Sequence, residues 1–333
     1  MIPAKLSLAL LDFERAAENP PPALIEGHLD CGTTAFVHGP PSAGKSWQAY
    51  TMGLSVASGR KYLDRYAVKQ GPVIIWVEEG SRHKISSRIQ RLRRGLGITD
   101  AEAAKLPIRF IILQGLKLDR MDHVGRLRAE MNLYARPSLL VVDNLTRVHT
   151  RDENKPSDMA RVLEPLTDIQ RTFDCTVLVI HHDRKNGLDA GASNNLRGTG
   201  DFDAWWRNRI HVEQPGQDGV ITATPSSKDG LAAFAYNLHV DDLPDGAARL
   251  AWDGPAINPK HAETDAVVIA VVKKLGVQAT VNNITAEAKK GKGTVIASLK
   301  RQVDYGMMRT ETAFTTGGQT ATRYRLSSGP EAA

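Results

Sequence analysis

The chain is poor in the residues that mark several large classes of protein. Only two of its 333 residues, Cys31 and Cys175, are cysteines, which excludes a disulfide framework and is typical of a reducing cytoplasm. No run of residues approaches the ~20 apolar side chains that a membrane-spanning helix requires. The first residues also lack the basic and then apolar pattern of a secretory leader. We therefore expect a cytoplasmic protein with no membrane partner.

Charged residues are present in ordinary number but are unevenly placed. They make up 24% of the chain, and the net charge is +6 with a pI near 9.3. Residues 258–333 hold eleven Lys or Arg against six Asp or Glu, and so carry five of the six net positive charges. The length favours two domains. The basic C-terminal quarter favours contact with an acidic partner such as nucleic acid.

A motif of the form G-x-x-x-x-G-K-[ST] occupies residues 39–46. In such a phosphate loop the backbone N–H groups surround phosphate oxygens, the lysine reaches the phosphates and the hydroxyl binds Mg²⁺. An apolar, β-branched run precedes the motif and an amphipathic stretch follows it, which argues against a chance glycine turn. We expect a nucleoside triphosphate with Mg²⁺ at this loop, with Lys45 also catalytic. The predicted binding set is Gly39, Pro40, Pro41, Ser42, Ala43, Gly44, Lys45, Ser46 and Trp47.

A carboxylate follows a second apolar run. Residues 138–142 are Ser-Leu-Leu-Val-Val, and Asp143 comes directly after them. An aspartate that merely ends a strand is common, but an upstream phosphate loop favours a role in holding Mg²⁺ at the carboxyl edge of the sheet. We therefore predict Ser46 and Asp143 as the metal ligands.

Two further carboxylates, Glu78 and Glu79, end the apolar run 73–77. We expect this strand to lie beside the phosphate-loop strand, so that one of the two carboxylates polarises the attacking water. We favour Glu79 as the general base because Gly80 follows it and the chain must leave the strand there. Glu78 is the alternative.

A pair of histidines follows the strand expected at 175–180. A polar group at this position can hydrogen-bond the terminal phosphate and report its loss to the next loop. We favour His181, the first residue past the expected strand end, as this catalytic sensor. His182 is the alternative.

Apolar strands alternate with helical stretches, which predicts an α/β fold with a mostly parallel sheet covered on both faces. Residues 227–252 are expected to add a closing hairpin, with a turn at 241–246. The predicted domains are an N-terminal arm and connector at 1–30, an ATPase domain at 31–255 and a small domain at 262–328. The predicted strands are 33–38, 73–77, 108–113, 139–142, 176–180, 209–213 and 220–225, and the predicted helices are 46–57, 82–93, 121–134 and 159–173.

After a Pro-punctuated linker the pattern changes to three helices followed by two strands around Gly317 and Gly318. This layout is typical of a winged helix, in which the third helix, here 293–304, enters the major groove of duplex DNA. A protein–protein module of the same shape is the alternative. The predicted DNA-facing residues are Lys292, Thr294, Ser298, Lys300 and Arg301.

Five motifs in this order carry a family resemblance. They are Pro-Pro-Pro-Ala-Leu-Ile-Glu-Gly at 20–27, Val-Glu-Glu-Gly-Ser at 77–81, Val-Val-Asp-Asn-Leu at 141–145, Ile-His-His-Asp-Arg-Lys at 180–185 and Leu-Arg-Gly-Thr at 196–199. With the phosphate loop, they make residues 20–255 resemble the RecA-like hexameric ATPases of the plasmid replicative-helicase type.

The resemblance implies a RecA-like P-loop NTPase that uses ATP and assembles as a homo-oligomeric ring, a hexamer, with ATP between subunits. It implies that Glu79 activates water and that His181 or His182 senses phosphate. It also implies an arginine finger supplied by a neighbouring subunit, at Arg207 or, as a substitute, Arg209.

Two loops, 149–156 and 183–197, lie where RecA-like proteins place their DNA loops. Arg151, Arg184, Lys185 and Arg197 would supply positive charge to single-stranded DNA, although ordinary solvated loops are an equal alternative. We therefore predict a DNA-associated motor, a replicative helicase or helicase-like ATPase of a plasmid, phage or integrated element. The alternative is an ATP-gated DNA-binding regulator or helicase loader that does not translocate. A small-molecule kinase is disfavoured, because it would have no use for the histidine pair at 181–182 or for the basic C-terminal region.

Overall fold

The structure is a computed structural model that describes residues 10, 14, 22–134, 136–183, 200–229, 232–256, 259–305, 307–314 and 320–327. Three of the predicted DNA contacts, Arg184, Lys185 and Arg197, lie outside these residues, as do most of the predicted N-terminal arm and the tip of the predicted wing. The chain divides into two compact units. The first is Met1–Ala233 with Asn237–Asp253, and the second is Phe234–Tyr236 with Gly254–Ala333.

Within the described residues, a sheet of nine strands forms the first unit's framework, and a small antiparallel pair, β1 (Ala23–Ile25) and β2 (Leu29–Asp30), precedes it. The strands of the large sheet are β3 (Thr34–Gly39), β4 (Val73–Val77), β5 (Ile108–Ile112), β6 (Leu139–Asp143), β7 (Thr176–His182), β8 (Asn208–Val212), β9 (Ile221–Ser227), β10 (Tyr236–Asp242) and β11 (Ala248–Pro255). Their order across the sheet is β11-β10-β9-β8-β3-β7-β6-β4-β5.

The six strands from β8 to β5 run parallel, and β9 joins β8 antiparallel. The predicted α/β class with a mostly parallel sheet is therefore confirmed. The strands β3, β4 and β6 are buried along their whole length, as near-continuous apolar runs require. The expected hairpin is also present, because β10 and β11 are neighbours joined by a short turn.

The helices of this unit cover both faces of the sheet. They are α1 (Lys45–Ser58), α2 (Arg82–Gly95), α3 (Asp100–Ala103), α4 (Met121–Met131), α5 (Pro156–Phe173) and α6 (Gly200–Trp205). Helix α1 packs against β3, β4, β6 and β7. On the other face, Leu127 of α4 and Val162 and Leu166 of α5 share a buried cluster with Phe36 and Trp76 of the sheet. Full burial of such side chains contributes about 1.5–3 kcal/mol each.

One expectation about strand order is wrong. Strand β4 does not lie beside the phosphate-loop strand β3, because β7 and β6 lie between them. The place of a parallel strand depends on how its crossover connection packs, which the strand's own residues do not specify. All these strands still end at the same edge of the sheet, so the polar residues that follow them remain neighbours.

The second unit has its own core. It contains α7 (Pro259–Leu275), α8 (Val281–Ala288), α9 (Lys292–Asp304), and the antiparallel strands β12 (Met308–Phe314) and β13 (Thr320–Leu326). Apolar side chains from all three helices and from β12 form a buried cluster: Val268, Val271, Val272, Ala279, Ile284, Ala288, Val295, Leu299 and Met308. The order of elements is the one predicted. Over the described part of the chain, no helix is both long and apolar enough to cross a membrane.

Candidate nucleotide-binding site

The phosphate loop connects the end of β3 to the start of α1, and its glycines are required by the backbone. A Cβ atom on Gly39 would lie 2.1 Å from the carbonyl oxygen of Val212 on the neighbouring strand. Gly44 precedes the helix with φ +85°, a conformation that side-chain-bearing residues rarely adopt. The loop therefore brings its N–H groups and the amino end of α1 to the carboxyl edge of the sheet, as a phosphate site requires.

Lys45 is buried at the base of the loop, with only 5% of its surface exposed. Its Nζ donates to the carbonyl oxygens of Gly39, at 2.8 Å, and Pro40, at 2.5 Å. Burial lowers the pKa of Lys45 to about 8, although the negative charges of Asp183, Asp143 and Glu79 act in the opposite direction. A lysine held in this way is prepared to pair with an anion.

A cleft of about 980 Å³ opens above the loop, which is large enough for a nucleotide. One wall comes from α2, and the opposite wall comes from the connection between β8 and β9 and from the hairpin. The ring of Trp47 lies 5.2 Å from the Arg88 guanidinium and 5.5 Å from that of Arg91. Of the predicted binding set, Pro41, Ser42, Ala43, Gly44, Lys45, Ser46 and Trp47 line the cleft, whereas Gly39 and Pro40 do not line it.

The two predicted metal ligands lie together in the cleft. Asp143 is 5% exposed, and its carboxylate accepts hydrogen bonds from Tyr50 Oη, at 2.5 Å, and from the Ser46 hydroxyl. Burial raises the pKa of Asp143, and these two hydrogen bonds oppose the rise. Because Mg²⁺ prefers hard oxygen ligands, the hydroxyl of Ser46 and the carboxylate of Asp143 fit this ion.

The two neighbouring glutamates have different surroundings. The carboxylate of Glu78 accepts from the backbone N–H groups of Gln114, Gly115 and Leu116 and from Trp76 Nε1, so it ties the end of β4 to the chain after β5. Glu79 instead lines the cleft, where its carboxylate accepts from Asn144 Nδ2. The favoured glutamate is therefore the one that faces the cleft.

The two histidines point to opposite faces of the sheet because β7 continues through residue 182. His181 is fully buried and stacks on the Phe202 ring, with 5.0 Å between ring centroids, on the face away from the loop. His182 lines the cleft, and its Nε2 lies 3.3 Å from Asn144 Nδ2. We expected His181 to face the nucleotide, but His182 is the histidine that lines the cleft. The expectation was wrong because β7 ends at residue 182, two residues later than predicted.

The two arginine-finger candidates lie away from this cleft. The N–H of Arg207 donates to the Thr34 carbonyl oxygen, at the amino end of β3, and the phosphate loop follows the other end of that strand. Its half-exposed guanidinium pairs with Asp229 at 3.4 Å. The Arg209 guanidinium lies 4.5 Å from the centre of the Trp206 ring. Neither arginine lines the cleft of its own chain.

Several cleft residues were not among the predicted site residues. Asn144 joins Glu79 to His182, and Tyr50 holds Asp143. Of these two residues, only Asn144 could have been predicted from the sequence, because it directly follows the strand-end carboxylate Asp143. Other cleft residues also lie outside the predicted site, because the sequence does not show that their segments approach the loop: Lys84, Ile85, Arg88, Pro215, Asp218, Gly219, Val220, Ile221, His239, Val240 and Asp253.

In the second unit, helix α9 separates the predicted DNA-facing residues into two groups. Lys292, Thr294 and Lys300 are exposed. Ser298 is fully buried and donates to Asp265 Oδ1, and the Arg301 guanidinium makes two hydrogen bonds to the same carboxylate. Arg301 and Ser298 therefore hold α9 against α7, which corrects their prediction as free DNA contacts.

The sheet, the loop and the cleft define a P-loop nucleotide-binding protein. A protein-family model described as an AAA domain matches residues 3–188, more than half of the chain. The chain belongs to this family and is a P-loop ATPase. Among solved structures it is similar to the RadB recombinase, with 18% sequence identity and a TM-score of 0.47 over 63% of this chain and 88% of that one.

Proposed function

We propose that this protein is an ATP-hydrolysing motor that works on DNA as a homo-oligomeric ring, a hexamer, and that it is a replicative helicase or helicase-like ATPase of a plasmid, phage or integrated element. One observation carries the proposal: the phosphate loop, a metal-ligand pair, and a glutamate–asparagine–histidine group meet in one cleft. The low cysteine content favours a cytoplasmic location.

Each group has a role in this proposal. Lys45 and the loop N–H groups hold the phosphates of ATP, and Ser46 and Asp143 hold Mg²⁺. Bound Mg²⁺ neutralises charge on the phosphates. Glu79 accepts a proton from the attacking water, Asn144 orients that carboxylate, and His182 contacts the terminal phosphate.

The ring is proposed because, among the residues that the structure describes, neither predicted arginine finger reaches the cleft of its own chain. Arg207 and Arg209 do not line the cleft, so in this proposal one of them reaches the cleft of a neighbouring subunit. Single-stranded DNA would pass through the loops that follow β6 and β7. Residues 31–255 would form the motor domain.

A second candidate is an ATP-gated regulator or helicase loader that binds duplex DNA and does not translocate. The observation that favours it is the exposure of Lys292, Thr294 and Lys300 on one helix of a separate basic unit. In this candidate residues 262–328 form a winged helix, and α9 is the element that contacts the major groove.

The deciding experiment is steady-state ATP hydrolysis by the purified protein without DNA, with single-stranded DNA and with duplex DNA. Lys45→Ala and Glu79→Gln remove a phosphate contact and the proposed base, and Lys69→Ala serves as the control because Lys69 is exposed and does not line the cleft. Duplex and single-strand binding are measured on the same samples.

Hydrolysis that single strands stimulate, and that both cleft variants but not Lys69→Ala abolish, would support the motor. Duplex binding without stimulation would exclude the motor and leave the regulator. Hydrolysis that survives Lys45→Ala would contradict both candidates, since both require this nucleotide site.

A further inference from the structure

Two histidines and an aspartate meet beneath the phosphate loop and have no role in the proposed function. His38 is the next-to-last residue of β3, Asp183 directly follows β7, and His211 lies on β8. These three strands are neighbours in the sheet. His38 is fully buried and His211 is 8% exposed, so the cluster is held within the rigid carboxyl edge of the sheet.

The geometry brings the three side chains onto one point. His38 Nδ1 lies 2.8 Å from Asp183 Oδ1, and His211 Nε2 lies 3.2 Å from Asp183 Oδ2. One nitrogen or oxygen atom from each residue lies within 4.8 Å of the others. Tetrahedral ligands at Zn²⁺ bond lengths are roughly 3.4 Å apart, so small side-chain rotations suffice to surround one ion.

No other polar contact accounts for the two imidazoles. His38 Nε2 and His211 Nδ1 are buried and have no hydrogen-bond partner among the residues that the structure describes. Among the described residues, Asp183 is therefore the only side chain that forms a hydrogen bond with either ring. Two buried histidines directed at one carboxylate are an unusual way to fill a core, because each leaves a polar atom unsatisfied.

The charge states also suit a metal. Burial would raise the pKa of Asp183, but hydrogen bonds from His211 and His38 outweigh it and hold the value at about 2. Burial lowers the pKa of His38, and the hydrogen bond and negative charge of Asp183 act in the opposite direction. An ionised carboxylate and a neutral imidazole are the forms that bind metal ions.

We propose that His38, Asp183 and His211 form a binding site for a transition-metal dication of the Zn²⁺ class. Two imidazoles with one carboxylate select Zn²⁺ and similar ions over Mg²⁺, which prefers oxygen ligands. Each neutral imidazole would bind the ion through the nitrogen that faces Asp183 and carry its single proton on the other ring nitrogen, so no ring proton is lost, and a water would complete the coordination. This site is separate from the Ser46 and Asp143 pair and does not depend on the proposed function.

Such an ion would fasten the phosphate loop to its neighbours. His38 directly precedes Gly39, and the backbone N–H of Asp183 donates to the Gly39 carbonyl oxygen at 3.2 Å. A bound dication would therefore link the ends of three strands at the point where the loop begins. Because only the folded chain brings the three ligands together, binding must raise the melting temperature.

The test uses tag-free, chelator-treated full-length protein and Co²⁺ as a spectroscopic probe. The titration is done without nucleotide and with millimolar Mg²⁺, which occupies oxygen-only sites. We expect visible d–d absorption that saturates at one equivalent of Co²⁺ per chain and that Zn²⁺ abolishes by competition. Absence of this absorption in the wild-type protein overturns the proposal, and the three side chains are then only a hydrogen-bonded group.

Ligand variants assign the site. His211→Gln and His38→Gln should each weaken Zn²⁺ binding by more than about 100-fold. Even the loss of a residue that only supports a metal ligand lowers metal affinity by roughly 10–100-fold, and these two residues are proposed ligands. His123→Gln is the matched control because His123 is another histidine beside an aspartate, 3.6 Å from Asp122. Circular dichroism confirms the fold of each variant. Unchanged Zn²⁺ affinity in a folded His211→Gln protein also overturns the proposal.

Discussion

At the scale of single residues, substitutions of the two adjacent glutamates at the end of β4 should have different effects, one on catalysis and the other on stability. Glu79→Gln should lower kcat for ATP hydrolysis by about 100-fold or more, the range of a lost general base, while nucleotide affinity changes little. Glu78→Gln should leave kcat nearly unchanged but lower the free energy of unfolding by about 1 kcal/mol, because Glu78 accepts from three backbone N–H groups. Hydrolysis rates and urea unfolding measure the two effects.

The two variants serve as controls for each other. They make the same chemical change at consecutive positions, so a general effect of removing a carboxylate would appear in both. An equal loss of kcat in the two proteins would contradict the assignment of Glu79 as the base.

The lysine of the phosphate loop makes nucleotide binding pH-dependent. With a pKa of about 8 in the free protein, Lys45 is largely uncharged at pH 9, and bound phosphates raise that pKa. Binding should therefore take up protons at pH 9 and few at pH 7.5, and nucleotide affinity should fall as the pH rises above about 8. Calorimetry in buffers of different ionisation enthalpy measures the uptake.

Lys84→Gln is the control for this prediction because Lys84 is another lysine that lines the cleft. The control should keep the proton uptake at pH 9. Uptake of the same size at pH 7.5 and pH 9, or its disappearance in Lys84→Gln, would show that Lys45 is not its source.

The histidine pair shows what a residue pattern can predict about the site and what it cannot. The sequence placed a polar pair at the carboxyl edge of the sheet, and both residues are at that edge. Which ring enters the cleft depends on whether the strand ends before residue 181 or after residue 182, since side chains alternate between faces. Strand ends are set by hydrogen bonds to the neighbouring strand, here between β7 and β3, which local sequence does not specify.

At the scale of elements, helix α9 should contact DNA through its exposed lysines. Lys292→Ala and Lys300→Ala should each weaken duplex binding and reduce the slope of log K against log salt by about 1, the value expected for one lost phosphate contact. Arg301→Lys should instead destabilise the second unit, because the Arg301 fork binds the Asp265 carboxylate at two points. Fluorescence anisotropy at several salt concentrations provides the measurement.

Lys273→Ala is the matched control, since Lys273 is exposed on α7 rather than on α9. It should leave both affinity and salt slope unchanged. If Lys273→Ala changes the slope as much as Lys300→Ala does, the contact is a diffuse attraction to the basic unit and not a docked helix.

The elements themselves were largely predictable, and their arrangement was less so. The bounds of β4 agree with the apolar run that predicted it, and the phosphate-loop residues were found by their motif alone. The order of strands was not predictable, because buried parallel strands of similar composition fit beside one another in more than one order. For the same reason the cleft wall from Asp218 and His239 was missed, since it depends on strands far apart in the chain.

At the scale of the whole molecule, the position of Arg207 makes a prediction about assembly. Its backbone lies at the amino end of β3, opposite the phosphate loop, so an Arg207 that acts on ATP, as we propose, acts in a neighbour's site. Lys45→Ala and Arg207→Ala should each be inactive alone. Mixed in equal amounts, they should regain hydrolysis at about a quarter of interfaces, where an intact loop meets an intact arginine by random assembly in the ring.

The matched control mixes Lys45→Ala with Glu79→Gln, whose defects lie in the same cleft of one chain. No interface in that mixture contains a complete site, so no activity should return. Arg209→Ala in place of Arg207→Ala tests the substitute finger in the same way. If Arg207→Ala and Arg209→Ala both keep full hydrolysis as single proteins, neither arginine acts in a neighbour's site. Catalysis would then give no support to the proposed ring. Recovery in the Arg207 mixture alone would instead link ATP hydrolysis to subunit contact, because Arg207 would then act in the cleft of a neighbouring subunit.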